Sequence, residues 1–342
     1  MKVEDVWYEQ TPAARAARLA LLPLSWTYAA AVALRNALYD ARLIRARASA
    51  VPVISVGNLS VGGTGKTPLA AFLVRELKTM GYSPAVVMRG YGDDEPLLHA
   101  RLNPAVPVFT GADRAASIQR AALAGADVVV MDDGFQHRRA ARDLDVVLVA
   151  AERWADSHRL LPAGPARESL RALRRAGLVV VTRKSATVPD ARAVAHQLAR
   201  IVGPATGIVV ASIQPHTLIS VLRAEPAPLA VIRGASIMAI AGIGDPTSFF
   251  DQLRQLGGTV EEHRFRDHHH YSATDVAKLL ARASSHKYVI TTEKDAVKLQ
   301  RFWPVTGPRL WYLSQAVSLT QGSDVFSAAL ANVFTRATPT VG

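Results

Sequence analysis

A glycine-rich segment at residues 60–67, Ser-Val-Gly-Gly-Thr-Gly-Lys-Thr, has the residue types that a phosphate-binding loop requires. Glycines allow successive backbone N–H groups to turn toward a phosphate, a lysine reaches the β- and γ-phosphates, and a Ser or Thr hydroxyl ligates Mg²⁺. Gly65, Lys66 and Thr67 match this P-loop pattern, although Ser60 stands where the first glycine is usual. An apolar run precedes the segment and a helical pattern follows it, so the amino end of a helix would face the anion. We therefore predict a nucleoside triphosphate site formed by Gly62, Gly63, Thr64, Gly65, Lys66 and Thr67.

Two consecutive carboxylates, Asp132 and Asp133, end a second apolar run. P-loop enzymes hold the Mg²⁺ shell with a carboxylate at the end of a strand. Because consecutive side chains point to opposite sides of a strand, one carboxylate would hold Mg²⁺ while the other orients another group. We assign the metal to Thr67 and Asp132 and place Asp133 among the catalytic residues, with a plain acidic turn as the alternative. Gln136 and His137 follow at the carboxyl edge of the sheet, where open α/β sheets bind ligands.

An arginine and several carboxylates occur together at residues 89–96, Arg-Gly-Tyr-Gly-Asp-Asp-Glu-Pro, after another apolar run. Arg89 could clamp a phosphate here, and one of the carboxylates could accept a proton from a hydroxyl group. A solvated acidic loop is the alternative for the same residues.

A histidine cluster at residues 267–271 has the sequence Asp-His-His-His-Tyr. Three consecutive histidine side chains rarely converge on one metal ion, and no partner with ligand spacing accompanies them. We therefore predict one functional histidine that is oriented or polarised by a carboxylate. An exposed, histidine-rich loop is the alternative.

Short apolar runs alternate with helical patterns around these polar segments, as in a mainly parallel sheet with helices on both faces. The predicted strands are Val51–Gly57, Pro84–Met88, Asp127–Met131, Asp145–Ala150 and Leu178–Thr182, followed later by Ile237–Ala241, Thr259–Phe265 and Tyr288–Thr292. The predicted helices start at Lys66, Ala112, Pro246 and Thr274. These patterns predict an α/β fold with a P-loop NTPase-like sheet and a second, smaller α/β domain joined to it by a hinge.

The length and composition fit two globular domains, since 342 residues at roughly 150 per domain make about two. The absence of cysteine excludes disulfide scaffolds, zinc ribbons, iron–sulfur clusters and a thiol nucleophile. The net charge of +12, with 32 Arg and 8 Lys, favours phosphate groups, nucleic acid or an anionic membrane as partners, although an Arg- and Ala-rich genome gives the same bias. We assign residues 1–50 to an N-terminal helix, 51–205 to the P-loop domain, 206–230 to the hinge, and 231–342 to the second domain with a C-terminal helix.

An apolar segment near the start of the chain, Leu19–Leu34, has 16 residues without charge and is flanked by arginines. At 1.5 Å per residue such a helix spans about 24 Å, which is shorter than the ~30 Å hydrocarbon core of a bilayer. Trp26, Tyr28 and Tyr39 suit the headgroup region. We expect an amphipathic or shallowly inserted helix at a cytoplasmic membrane face, with an ordinary buried helix as the alternative.

The order of these motifs resembles the tetraacyldisaccharide 4'-kinase family of lipid A biosynthesis. The resemblance extends from about residue 10 to residue 335, which is nearly the whole chain. The matching segments are Gly57-Asn58-Leu59 with Gly63–Pro68, Arg89-Gly90-Tyr91, Asp94-Glu95-Pro96, Asp132–His137, Leu161–Pro165 with Arg167-Glu168, Ala241–Gly244, Phe265 with Asp267-His268-His269, and Thr292–Asp295. Eight segments in the family's order make a chance match an unsatisfactory explanation.

The resemblance implies an enzyme at the cytoplasmic face of the inner membrane of Gram-negative bacteria. It would use ATP and Mg²⁺ and transfer the γ-phosphate to the 4'-hydroxyl of a tetraacyldisaccharide 1-phosphate, a lipid A precursor. The family has two α/β/α domains joined by a hinge, and an N-terminal helix that docks on the membrane. We accordingly expect the lipid substrate and the inner membrane surface as partners, no nucleic acid, and a monomer.

The resemblance also implies roles for single residues. Asp94 matches the family's general base, and His268 matches the histidine that pairs with it. Residues at positions that contact phosphate, Mg²⁺ or the acceptor are Lys66, Thr67, Arg89, Arg114, Asp132, Asp133, Gln136 and His137. With the base in one domain and its partner in the other, closure of the hinge would assemble the site and exclude water.

Two departures from the family pattern leave the identity of this pair open. Family members have a longer stretch between the Arg-Gly-Tyr-Gly and Asp-Glu-Pro motifs, whereas only Asp93 intervenes here, so Asp93 competes with Asp94 for the role of base. His269 competes with His268 because the histidines form a run.

Two other functional classes compete with the lipid kinase. A membrane-sited switch ATPase of the partition or septum-positioning type shares Gly-Gly-x-Gly-Lys-Thr, but that class has a lysine where this chain has Val61. A basic nucleic-acid-binding protein would interleave basic and aromatic residues, whereas aromatic residues make up only 6% of this chain. Both classes fit the sequence less well than the lipid kinase does.

Overall fold

The computed structural model describes residues 3–90, 92, 94–155 and 158–335, which fall into two compact units. Unit 1 comprises the residues up to Arg89, Ala105–Ile213 and the residues from Val317 onward. Unit 2 comprises Gly90–Pro104 and Gln214–Ala316. The chain therefore passes between the units four times, at residues 89–90, 104–105, 213–214 and 316–317.

Unit 1 is built on a parallel sheet whose strands are mostly buried, apolar runs. In chain order the strands are β1 (Val53–Asn58), β2 (Pro84–Met88), β3 (Val108–Thr110), β4 (Val128–Asp132), β5 (Leu144–Ala150), β6 (Leu178–Arg183) and β7 (Gly207–Ser220), the last of which continues into unit 2. Neighbouring strands follow the order β7–β6–β5–β1–β4–β2–β3, and each pair is parallel. The loops after β1 and β4 therefore leave the same edge of the sheet.

The described helices are, in chain order, α1 (Val3–Tyr8), α2 (Pro12–Asp40), α3 (Lys66–Thr79), α4 (Asp94–Leu102), α5 (Arg114–Leu123), α6 (Val188–Ala199), α7 (Pro246–Gln255), α8 (Ala273–Ala283), α9 (Glu293–Leu299) and α10 (Ser323–Thr335). Two successive residues of β5 show that helices cover both faces of the unit 1 sheet. Val146 packs in the apolar cluster that includes residues of α3 and α10, and Val147 packs in the cluster that includes residues of α6. The sheet of unit 1 is thus covered on both faces.

Unit 2 has a smaller parallel sheet. Its strands are β8 (Pro226–Ala227), β9 (Ser236–Ala241), β10 (Thr259–Arg264), β11 (Tyr288–Thr292) and the first part of β12 (Leu310–Gln321). The parallel order is β10–β9–β11–β12, and β8 pairs with the end of β7 in antiparallel fashion. Helix α4 packs against α9 within this unit. The first residue of α4 is Asp94, the candidate base.

The predicted fold class is confirmed: both units have parallel strands that alternate with helices. The strands Pro84–Met88 and Tyr288–Thr292 have the predicted bounds, and the helix predicted from Lys66 begins at that residue. Short apolar runs followed by turn residues were sufficient to locate these elements.

The domain bounds predicted from the sequence differ from the structure in three places. The predicted hinge, 206–230, is largely strand β7, whose apolar pattern is interrupted by Gln214-Pro215-His216. Helix α10 lies in unit 1 instead of the second domain, since Phe326 packs in the same apolar cluster as Ile54. Residues 90–104, predicted in the P-loop domain, belong to unit 2.

Helix α2 has one face on the body of unit 1 and one exposed face. Its hydroxyl-containing N-cap, Thr11, accepts a hydrogen bond from the backbone of Ala14. Ser25 on the inner face is buried, and its hydroxyl bonds the carbonyl of Leu160 at 3.2 Å. Exposed apolar side chains of the helix are Leu19, Leu24, Trp26 and Leu34. By length and composition, α2 is apolar enough to cross a membrane.

Candidate active site

The glycine-rich segment connects β1 to α3 at the carboxyl edge of the unit 1 sheet. Gly65 precedes the helix with φ of 91°, a left-handed conformation that favours glycine. A Cβ atom on Gly65 would also lie 2.2 Å from Cδ1 of Ile213, so a side chain does not fit there. Because the first-turn N–H groups of a helix lack carbonyl partners within it, the start of α3 offers donors to an anion.

Three side chains hold this loop from neighbouring elements. Thr182 of β6 donates its hydroxyl to the carbonyl of Thr64 at 3.0 Å, and Lys184 donates its ammonium to the carbonyl of Gly63 at 2.9 Å. Asn58, at the end of β1, donates its amide to the Thr64 hydroxyl at 2.8 Å. These three hydrogen bonds support the loop conformation, and a loop supported in this way loses less conformational entropy when it binds a ligand.

The residues expected to hold Mg²⁺ are in contact. The Thr67 hydroxyl donates to Oδ2 of Asp132 at 3.0 Å, and the backbone N–H of Asp133 donates to Oδ1 of Asp132 at 2.9 Å. Asp132 is buried at the end of β4, next to the amino end of α3. A hydroxyl and a carboxylate oxygen are the hard ligands that Mg²⁺ prefers, so this donor set fits the ion.

Asp133 faces basic groups instead of Thr67. Its Oδ1 atom lies 3.6 Å from Nζ of Lys66, and Arg167 donates Nη1 to both of its carboxylate oxygens at 3.0 Å. Burial of Asp133 opposes its ionisation, but the charges of Lys66 and Arg167 outweigh burial and hold the pKa of Asp133 below its ordinary value. The backbone φ of 50° at Asp133 lies in the left-handed region, which Asp adopts more often than most residues with a side chain.

A buried polar network continues from this site to helix α2. Gln136 donates its amide to the carbonyl of Asn58 at 2.9 Å and to Oε1 of Glu168 at 3.2 Å. The Glu168 carboxylate also accepts from Asn36 of α2 at 2.7 Å and from Arg175 at 3.0 Å. Glu168 therefore links the N-terminal helix to residues beside the phosphate-binding loop.

A second group of basic side chains surrounds His137. Burial, followed by the positive charges of Arg114, Arg142 and Arg139, lowers the pKa of His137 to about 4. His137 is thus neutral at physiological pH and can donate or accept a hydrogen bond without charge. Arg114 is buried at the start of α5, whereas Arg89 is exposed after β2.

The expected base and its histidine partner lie together in unit 2. Asp94 is the first residue of α4 and is buried, with Oδ1 accepting the backbone N–H of Glu95 at 3.1 Å. Nδ1 of His268 lies 3.3 Å from Oδ2 of Asp94. The expectation that these residues lie in different domains is wrong, since residues 90–104 belong to the same unit as His268.

The competing histidine, His269, has a different partner. Its Nε2 atom lies 3.2 Å from Oδ2 of Asp275, the residue that completes the capping box of α8. Its ring packs against the rings of Phe265 and Tyr271. His269 therefore contacts the capping box of α8 and two aromatic rings, while His268 lies beside Asp94. Asp93, the competitor of Asp94, lies outside the described residues.

Several residues at these sites received no role from the sequence. Asn58, Arg167 and Glu168 stood in segments that resemble the family, but nothing in their type or spacing indicated their partners. Lys294 and Lys298 of α9 lie near Asp94, each with Nζ 3.8 Å from its Oδ2. Their spacing of four residues places them on one helix face, which is the signal that could have linked them.

Comparison with known proteins identifies the family of the chain. The family described as tetraacyldisaccharide-1-P 4'-kinase matches residues 17–335 of the chain. The chain is 41% identical to the tetraacyldisaccharide 4'-kinase of Halorhodospira halophila over 98% of each chain, and 39% identical to that of Anaeromyxobacter dehalogenans over 96% of this chain and 94% of the other. Among solved structures, LpxK from Aquifex aeolicus in complex with ATP has a TM-score of 0.72 at 29% identity, covering 93% of this chain and 99% of that one. The chain belongs to the tetraacyldisaccharide 4'-kinase family.

Proposed function

We propose that this chain is an ATP-dependent lipid kinase that transfers the γ-phosphate of ATP to the 4'-hydroxyl of a tetraacyldisaccharide 1-phosphate in lipid A biosynthesis. The observation that carries the proposal is the family match over nearly the whole chain. The contact between Thr67 and Asp132, beside Lys66, supports ATP with Mg²⁺ as the phosphate donor.

In the proposed reaction the chain binds ATP through three residues: Lys66, Thr67 and Asp132. Lys66 would neutralise charge on the β- and γ-phosphates, as the P-loop lysine does in related enzymes. Thr67 and Asp132 would hold Mg²⁺, which would supply positive charge to offset the negative charge that develops on the phosphate oxygens. Asp133 would orient Lys66 and Arg167, since it contacts both of them.

Asp94 is the proposed general base for the acceptor. In the transfer, the 4'-oxygen forms a bond to the γ-phosphorus while the bond between that phosphorus and the oxygen bridging to the β-phosphate breaks. The hydroxyl proton passes to the Asp94 carboxylate, and ADP leaves with the electron pair of the broken bond. The position of His268, whose Nδ1 atom lies 3.3 Å from Oδ2 of Asp94, supports Asp94 in this role. Closure of a hinge during the reaction stays a prediction.

Four residues are proposed contacts for phosphate or acceptor groups: Arg89, Arg114, Gln136 and His137. Arg114 and neutral His137 lie close enough that the arginine charge lowers the pKa of the histidine. A buried guanidinium beside a neutral imidazole can bind a phosphate with charge-assisted hydrogen bonds. The 1-phosphate of the lipid has the required chemistry.

The exposed apolar face of α2 supports a location on the membrane. Leu19, Leu24, Trp26 and Leu34 expose more than half of their surface, and arginines flank the apolar part of the helix. An amphipathic helix of this kind lies in the headgroup region and favours anionic lipids. We infer a monomeric enzyme at the cytoplasmic face of the inner membrane, where the helix raises the effective concentration of its lipid.

Transfer of label from γ-labelled ATP to the lipid tests the proposal. Purified protein is incubated with Mg²⁺, detergent and tetraacyldisaccharide 1-phosphate, and the lipid is separated by chromatography. We expect label in a bisphosphorylated lipid, and none when Lys66→Ala replaces the wild type. Release of labelled phosphate that depends on vesicles, with no labelled lipid, would instead indicate a membrane-sited ATPase and overturn the proposal.

A further inference from the structure

The segment Thr292–Asp295 has no role in the function proposed above, although it begins helix α9 beside Asp94. Thr292 is the N-cap of this helix, and its hydroxyl donates to Oδ2 of Asp295 at 2.7 Å while it accepts the backbone N–H of Asp295 at 3.1 Å. The backbone N–H of Gly242 donates to the same carboxylate oxygen at 2.7 Å. Asp295 is fully buried, so these contacts fix its carboxylate and the start of α9.

Gly242, from the segment Ala241–Gly244, leaves room for this arrangement. A Cβ atom at Gly242 would lie 3.0 Å from the Tyr271 hydroxyl and 3.1 Å from Oδ1 of Asp295. A side chain there would push the Asp295 carboxylate away from the backbone N–H of Gly242, from which it accepts a hydrogen bond. Two segments that are separate in the sequence therefore converge on Asp295.

Lys294 and Lys298, four residues apart on α9, direct their charges to the same carboxylate oxygen. Nζ of Lys298 lies 2.8 Å from Oδ1 of Asp295 and 3.8 Å from Oδ2 of Asp94. Nζ of Lys294 also lies 3.8 Å from Oδ2 of Asp94. Two ammonium groups from one face of α9 therefore lie beside the buried Asp94 carboxylate.

Lys294 also determines how His268 faces Asp94. Its Nζ atom lies 3.0 Å from Nε2 of His268. An ammonium group has only donors, so Nε2 must accept this hydrogen bond and the single proton of neutral imidazole must be on Nδ1. Nδ1 is the atom that lies 3.3 Å from Oδ2 of Asp94. The Nδ1–H group of His268 therefore lies beside Oδ2 of Asp94, a buried oxygen that accepts no hydrogen bond from the residues that the structure describes.

We propose that Lys294 is a positioning residue that fixes the Nδ1–H tautomer of His268, and that Lys298, held by Asp295, supplies the second charge that holds Asp94. The inference rests on the proposed function insofar as Asp94 is the base. It changes the role of His268: with Nδ1 already protonated, the imidazole orients the carboxylate and does not receive its proton through that atom.

The ring nitrogens of His268 test the tautomer directly, without any measurement of activity. ¹⁵N spectra of imidazole-labelled full-length protein are recorded at about pH 8, where an ordinary histidine is neutral, and His268→Gln identifies the signals. We expect protonated Nδ1 and unprotonated Nε2 in the wild type and in Lys278→Met, an exposed lysine of α8. In Lys294→Met we expect a mixture of the two tautomers. Protonated Nε2 in the wild type, or no change in Lys294→Met, would overturn the proposal.

Turnover supplies an independent readout of the same residue. We expect Lys294→Met to lower kcat for lipid phosphorylation by about 10- to 100-fold, a part of what general-base catalysis contributes, with KM for ATP unchanged. Lys294→Arg keeps a donor and should restore part of the activity. If the wild type shows the expected tautomer but phosphorylates no lipid, the proposed function fails while the tautomer assignment stands. If lipid is phosphorylated and Lys294→Met has wild-type kcat, the positioning role is wrong.

Discussion

Arg167 places one guanidinium nitrogen 3.0 Å from each carboxylate oxygen of Asp133. The preceding residue, Asp132, has a different partner, the Thr67 hydroxyl at 3.0 Å. Two consecutive carboxylates thus serve different chemistry: Asp132 faces the expected metal ligand, and Asp133 holds basic groups beside the phosphate-binding loop. The distinction follows from the turn at Asp133, whose φ of 50° directs it away from the strand.

Substitution of the two carboxylates should therefore have different consequences for Mg²⁺. Asp132→Asn removes a metal ligand, so we expect the Mg²⁺ concentration for half-maximal turnover to rise by about 10-fold, with recovery of activity at high Mg²⁺. Asp133→Asn loosens Lys66 and Arg167, so we expect kcat to fall by about 10²-fold at every Mg²⁺ concentration. Titration of turnover with Mg²⁺ distinguishes the two. Equal shifts in Mg²⁺ dependence would contradict the division of roles.

Loss of the buried carboxylate that links α2 to the loop should destabilise the protein. Glu168→Ala leaves Arg175 without its buried partner, and we expect the free energy of unfolding to fall by about 3 kcal/mol or more. Glu225→Ala is the matched control, since the Glu225–Arg309 pair is exposed and should contribute at most about 1 kcal/mol. Urea unfolding of both variants measures the difference. A loss for Glu168→Ala no larger than for the control would show that the network is not a stabilising link.

The depressed pKa of His137 predicts a pH dependence of stability. In the folded chain its pKa is about 4, compared with 6.5 for an ordinary histidine, so between these values the unfolded chain binds a proton that the folded chain does not. His137 therefore contributes stability that is complete above about pH 6.5 and is lost as pH falls toward 4. We expect the stability advantage of the wild type over His137→Gln to shrink over this range in urea unfolding. A difference that is constant from pH 7 to pH 4 would exclude neutral His137.

The exposed apolar face of α2 should determine binding to vesicles. Leu24 and Trp26 are 58% and 68% exposed, and burial of each in a membrane is worth about 1.5–3 kcal/mol. We expect the double substitution Leu24→Ser/Trp26→Ser to weaken binding to anionic phospholipid vesicles by about 10²-fold or more, with ATP binding unchanged. Leu123→Ser is the control, because Leu123 is 83% exposed at the end of α5. Vesicle co-sedimentation that responds equally to both changes would argue against a membrane role for α2.

The sequence was sufficient for features that depend on local pattern. The P-loop lies between a strand and a helix as predicted, because glycine spacing and β-branched runs act over a few residues. The pairing of His268 with Asp94 came from the family resemblance. Nδ1 of His268 lies 3.3 Å from Oδ2 of Asp94, and the roles of the two residues stay predictions.

Features that depend on long-range packing were missed. The hinge was predicted from the Pro- and Ala-rich segment Arg223–Leu229 and the irregular stretch before it, although pairing with β6 makes most of that stretch strand β7. The assignment of residues 90–104 to unit 2 depends on the packing of α4 on α9, about 200 residues later in the chain. Arg167 and Glu168 lie on a loop, and no periodic pattern could indicate that they bond Asp133 and Asn36.

A single measurement tests the central claim most directly: the rate of phosphate transfer to tetraacyldisaccharide 1-phosphate by Asp94→Asn, measured by rapid quench at saturating γ-labelled ATP. Asparagine keeps the shape of the side chain and removes the base. We expect the transfer rate to fall by about 10²–10⁴-fold, the usual contribution of general-base catalysis, while the affinity for ATP stays within about 3-fold of wild type. A transfer rate near that of the wild type would contradict the account and place the base elsewhere in the chain.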